Sequence, residues 1–473
     1  MSDKKIKKYH KTKLESYLTG AIFCTVFLSG FLLWENVEAA CTGASPTWTT
    51  TPDYESVSAC VAGATAGDTI NISAGSVAWG STLNITKSVN LIGAGSDQTI
   101  ITASSSTLTT ISINLSAEVA FRLSGIKFTG LGYSPWMLIK GLSKLWRIDH
   151  NVFEASEPKK QIYVQDNLCN NTGLFDSNTF KNVGIEFVGT SRSASNTYWT
   201  CESQWGKDSA VFIENNSFTY DVTSPMKNCI DSNNGARAVI RYNTFQDVYI
   251  MAHSACDGET YQNRGTRSYE VYNNLFTRTS NDAWGYWFSL RSGSALVFNN
   301  SITNWTNPND DVGMDNRRSW GDSYCTGSTW GSCDGTSLVD GNFGSSGYAC
   351  LDQIGRGKAA TSDPTDNSGY SPSPWQALEP VYAWNNGSSS LISSYNNSGN
   401  QPQHIVENRD FYNASSMSDA KTKGLVANYA PYDCPHPLVG AGSCDSDVAG
   451  TEGYNATSED TIAPAAPSGL AVS

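Results

Sequence analysis

The chain is short of positive charge. It has 31 Lys and Arg against 44 Asp and Glu, a formal net charge of −13 over 473 residues. Such an acidic surface disfavours nucleic acid and anionic membranes as partners. Any acidic ligand then needs a local basic site or a bridging cation. Other signatures are missing too: no Cys/His spacing indicates zinc, and there is no phosphate loop or nucleophile elbow. The only apolar run near spanning length is residues 18–34.

That run follows six lysines between Lys4 and Lys13 and precedes Val37 and Ala39, small residues that suit cleavage. Residues 1–39 therefore read as a secretory signal peptide, which predicts a secreted or cell-surface protein with no membrane attachment after cleavage. An uncleaved anchor and a lipoprotein held through Cys41 are the alternatives. Removal leaves 25 basic and 40 acidic residues, a net charge of −15. Export permits disulfides among the remaining cysteines. Cys41 and Cys60 flank the N-terminal segment. Cys229 and Cys256 each stand 13 residues after a repeat asparagine, a phase that predicts a bridge between adjacent coils. Cys325/Cys333 and Cys434/Cys444 are close in sequence.

What is abundant is a repeat. WRIDHNVFEA, GLFDSNTFKN, VFIENNSFTY, AVIRYNTFQD, YEVYNNLFTR and ALVFNNSITN each end a short strand with Asn and an apolar residue two positions on. The pairs are Asn151/Phe153, Asn178/Phe180, Asn216/Phe218, Asn243/Phe245, Asn274/Phe276 and Asn300/Ile302, with Ile126/Phe128 as an earlier copy. The steps are 25, 27, 38, 27, 31 and 26 residues. A repeat of this length is one supersecondary unit, and the chain reads as a solenoid. The asparagines are expected in left-handed corner positions, linked coil to coil. The phenylalanines are expected in one inward stack.

Before the repeat, Asp53 is placed to N-cap a short helix with Val57, Cys60 and Val61 on one face, a cap over the first coil. The reading is an N-terminal cap and stack over residues 40–305, then an irregular part over 306–440 closing the far end. Residues 441–473 are a linker whose DTIAPAAPSGLAVS resembles the lead-in to a fibronectin type III module.

ITKSVNLIGAGSDQTII, IDHNVF, IRYNTF and VYNNLF resemble the right-handed parallel β-helix group that includes pectate lyases. The resemblance covers residues 53 to 305 and implies an all-β fold, a right-handed parallel β-helix with an N-terminal helical cap and an irregular C-terminal segment. It implies extracellular polysaccharide as the partner, engaged by a lyase or a glycoside hydrolase. The fold also serves non-catalytic adhesins and stalks, so that alternative stands.

A lyase needs a base for the proton α to a uronate carboxylate, and positive charge from Arg, Lys or Ca²⁺ for the enolate-like transition state. Residues 249–274 bring together His253, Asp257, Arg264 and Arg267 as catalytic candidates. The structural alternative is that Arg264 and Arg267 turn a corner and pair with Asp257 or Glu259. Glu186, Asp231 and Arg291 follow successive Asn corners and are candidate substrate-binding groups. A uniform coil stacks His253 on Met226; it meets Asp231 only where the strands slip relative to the corners. Trp199 and Trp205, in the insertion at residues 191–208, are candidate sugar platforms. No cluster of three Ca²⁺-binding carboxylates accompanies the arginines. Asp310, Asp311 and Asp315 read as a solvated loop.

Overall fold

The computed structural model describes residues 40–440 apart from internal stretches at 106–107, 117–118, 131–134, 142–143, 166–170, 189–202, 222–227, 255–263, 280–285, 306–311, 316–351, 359–375, 388–392 and 396–404. The predicted signal peptide and linker lie outside the described residues. No helix among the described residues is long and apolar enough to cross a membrane.

Alternating patterns at coil-length intervals produce two long parallel sheets, and the fold is the right-handed parallel β-helix expected. The first sheet has 13 strands among the described residues. Past its initial antiparallel pair it takes one strand per coil, among them Leu145–Asp149, Gly173–Asp176, Val211–Glu214, Arg237–Arg241, Ser268–Tyr272, Ser294–Phe298 and Val381–Trp384. The second sheet, of 17 strands among the described residues, collects the other parallel strands of the coils, and Arg356–Lys358 and Gln376–Leu378 form a separate antiparallel pair. Stacking buries one apolar core along the axis, since no single coil could bury its own.

The corners differ from expectation in one respect. The left-handed residue is the one before each ladder position: His150, Ser177, Asn215, Tyr242, Asn273 and Asn299, with φ between 53° and 57°. That bend frees the following asparagine to turn its amide into the corner. Asn243 Nδ2 donates to Arg241 O on its own coil, to Ile213 O on the coil before and to Asn274 Oδ1 on the coil after. The same bonding links Asn151, Asn178, Asn216, Asn243, Asn274 and Asn300. It runs on past residue 305 to Asn386, where the coil resumes. The buried amides of the ladder are thereby hydrogen-bonded between coils.

Two residues on, the inward stack is present. Phe128, Phe153, Phe180, Phe218, Phe245 and Phe276 are buried, with neighbouring ring centroids 4.4–5.3 Å apart and planes within 16°. Asp53 caps the helix Tyr54–Gly63 by accepting from Ser56 N, and Val57, Cys60 and Val61 are buried. Cys41 and Cys60 are bridged. The expected Cys229–Cys256 bridge is contradicted: Cys229 is a buried free thiol. Its coil neighbours are Tyr249 and Ile250, because the corner after Phe245 is shorter than the one after Phe218. Cys256 lies outside the described residues. Cys434 is disulfide-bonded.

In the C-terminal part, Phe411–Asn413 is the last strand of the first sheet, and the chain then turns back along that sheet. It lies on the outer face of the first sheet, where Leu425, Tyr429 and Val439 join a second apolar cluster with Leu174, Phe212, Val239 and Leu296. The Arg241 guanidinium pairs with buried Glu214 at 2.7 Å and donates to the Tyr432 and Asp433 carbonyls at 2.7 Å each. Tyr429 Oη donates to Glu270 at 2.7 Å, and Gly206 N donates to the same carboxyl; burial still pushes Glu270 up from its ordinary range.

His436 sits in this strap with Nδ1 accepting from Leu438 N, so the ring is neutral. Burial first, then the Arg241 and Arg147 charges, lower its pKa to about 3. A base depressed in the folded state favours folding while neutral in both states. As pH falls below about 6.5 the unfolded chain takes a proton that the folded one does not, and stability drops by up to ~1.4 kcal/mol per pH unit until about pH 3. Denaturant titrations from pH 7 to pH 4 are expected to show this fall, and His436→Asn, which keeps an acceptor but cannot ionise, to flatten it.

Candidate functional site

In the second sheet, period-two alternation sends Ile185, Ile230 and Ile250 inward and their neighbours outward. Tyr163, Glu186, Asp231, Met251 and Ser289 stack coil on coil in one outward column. Asp231 pairs with Met251, 20 residues on, although their corner asparagines, Asn216 and Asn243, are 27 apart. The strands have slipped relative to the corners, and this slip brings His253 to Asp231.

The contact is direct. His253 Nδ1 lies 2.7 Å from Asp231 Oδ1. Ser232 N donates to that same oxygen at 2.8 Å. Asn228 Nδ2 donates to Oδ2 at 2.8 Å, and Lys160 Nζ pairs with Oδ2 as well. The Asp231 side chain is fully buried, and four donors around it favour its anionic form. A carboxylate only accepts, so His253 Nδ1 carries a hydrogen, and Nε2 offers a lone pair when the ring is neutral. The backbone fixes the ring's origin: His253 N donates to Ser232 O, and Thr266 N donates to His253 O, each at 2.9 Å. Glu186 is half-buried and registered with Asp231. On the next coil Arg291 N donates to Ala252 O, and its Nε lies 3.8 Å from Asp315 Oδ2.

Glu186, Asp231, His253 and Arg291 therefore follow one another on successive coils of the second sheet, with Asp231 and His253 in direct contact. Arg264, Arg267 and Trp205 are engaged elsewhere. Arg264 is fully buried and grips Asp352 with Nε and Nη2 at 2.8 Å each, while Gly265 N donates to the same carboxylate. Arg267 pairs with Glu379 at 2.7 Å and is also buried. Both turn the corner ahead of Ser268–Tyr272, as in the structural alternative, but their acidic partners come from the C-terminal part of the chain. Trp205 packs on the apolar cluster outside the first sheet, away from His253. Asp257 and Trp199 lie outside the described residues.

Lys160 and Asn228 were missed. Lys160 stands in the long strand Val152–Gln165, where register shifts between Glu154/Lys159 and Lys160/Ile162 re-aim its side chain. No periodic signal marks such an irregularity. Among the described residues no group of three or more His, Cys, Asp or Glu side chains could hold a metal. Asp231 is surrounded by donors, and Asp315 faces Arg291.

No family model matches this chain, and no curated protein matches it. Among solved structures it is similar to a pectin methylesterase mutant in complex with a hexasaccharide, at 11% identity and a TM-score of 0.33, over 82% of this chain and 99% of that one. It is also similar to the catalytic domain of a GH87 alpha-1,3-glucanase in complex with tetrasaccharides, at 11% identity and a TM-score of 0.23, over 74% of this chain and 64% of that one.

Proposed function

We propose that this is an exported protein that engages an extracellular polysaccharide along the outward column of the second sheet and cleaves it by proton transfer. The carrying observation is the Asp231–His253 bond beside Glu186 on one outward face. A signal-like N-terminus and the Cys41–Cys60 bridge support an oxidising compartment.

Within that reading a lyase fits better than a hydrolase built on two carboxylates. A hydrolase of that kind needs both carboxyl groups at the scissile bond. Asp231 is buried and surrounded by donors, which suits orienting His253 rather than attacking a sugar or activating water. In the elimination, His253 Nε2 takes the proton α to the uronate carboxylate. The C–H electron pair forms the new double bond as the glycosidic C–O bond breaks, and Glu186 protonates the departing oxygen. Arg291 brings positive charge to the same face. Base and acid of this kind contribute about 10²–10⁴-fold each.

The test is incubation with polygalacturonate, alginate and a neutral β-glucan, measuring unsaturated uronate and new reducing ends separately. Unsaturated product from an acidic polymer is the expected result. Reducing ends without unsaturation would make the protein a hydrolase, and binding without either product would make it an adhesin or stalk.

A further inference from the structure

We propose that Lys160 is a positioning residue that sets the protonation of the Asp231–His253 pair, its ammonium sharing the carboxylate so that His253 stays a neutral base near neutral pH. The inference rests on reading that pair as the acid–base centre, and it concerns a residue that the chemistry above does not use.

The geometry is specific. Lys160 is registered with Gly184 on the following coil, and Asp231 belongs to the coil after that. Coils stack at about 4.8 Å, so the lysine reaches across roughly two rungs. The residue it faces on the intervening coil has no side chain. Its target is not a surface acid but a fully buried carboxylate, and the lysine side chain itself is only 17% exposed. Lys160 binds Oδ2 while His253 binds Oδ1, so two cationic or potentially cationic groups divide one negative charge.

The consequence follows from charge alone. An unshared buried carboxylate against an imidazole favours imidazolium, and a ring protonated at neutral pH cannot accept a proton from substrate. An ammonium on the same carboxylate opposes that. The other charged groups around His253 among the described residues are already offset. Arg291 faces Asp315, Arg264 is held by Asp352 and Arg267 by Glu379.

The experiment is an NMR pH titration of the imidazole resonances of the full chain, which has five histidines; His253→Asn identifies the relevant signal. Lys160→Met is expected to raise the His253 pKa by on the order of one unit. Lys160→Arg, which keeps the charge, should leave it near the wild-type value. Lys160→Gln is the second neutral variant should the methionine perturb folding. An unchanged His253 titration in the neutral variants overturns the proposal. So does an equal rise in Lys160→Arg, which would point to displacement rather than charge. The readout needs no glycan, so it can fail while cleavage stands, and cleavage can fail while it holds.

Discussion

Arg264→Ala is expected to lower unfolding free energy by about 3–5 kcal/mol while leaving glycan turnover unchanged in the folded fraction. Its guanidinium is fully buried and bidentate to Asp352, a residue 88 positions away. Deleting it strands a buried carboxylate that also accepts from Gly265 N and from Gln376 Nε2. Those two neutral donors cannot replace a cation in a low-dielectric site. Arg267→Ala should cost less, because Glu379 is partly exposed and can rehydrate. Urea unfolding of the two variants, with turnover measured alongside, checks both statements. Unchanged stability with reduced turnover in Arg264→Ala would return the arginine to the catalytic role that the sequence suggests.

His253→Ala is expected to reduce kcat on the cleaved polymer by about 10²–10⁴-fold, the usual share of a general base. The side chain is 19% exposed and outside the apolar core, so the coil beneath should hold. Asp231→Asn is expected to weaken turnover as well. Its amide can still accept from the ring, but it removes the charge that stabilises the protonated base. Rates compared at equal folded fraction, with far-UV circular dichroism as the control, separate chemistry from folding. Full activity in His253→Ala would end its assignment as base.

The contrast between these two predictions shows what the sequence makes legible. The fold is written plainly, because Asn243 and Phe245 recur as a unit whose spacing a stacked coil requires. The corner conformation is not, since the residue that takes the left-handed bend is His, Ser, Asn or Tyr in different coils. Nothing in the residue type announces it. At the site, Glu186, Asp231 and His253 are visible as chemical types, but their meeting depends on a corner seven residues shorter than its predecessor. Corner lengths leave no pattern to read in advance. Arg264 looks like a catalytic cation for the same reason that it is a good structural one: a guanidinium beside Gly and Thr in a turn. Only the approach of Asp352 from far along the chain distinguishes the two. Lys160 had no signal at all, because an irregular strand aims it.

In the proposed function, the outward column of the second sheet is where a polysaccharide is engaged and cut. This is tested most directly by comparing wild-type protein with Glu186→Gln on polygalacturonate and alginate, following unsaturated uronate over time and binding in parallel. Glu186 is half-buried and, unlike Arg264, is not part of a buried ion pair that holds the stack together. The account predicts unsaturated product from wild type and a loss of about 10²-fold or more in the variant, with glycan binding retained. Equal product formation by both proteins, or a folded wild type that neither binds nor cleaves either polymer, would contradict it.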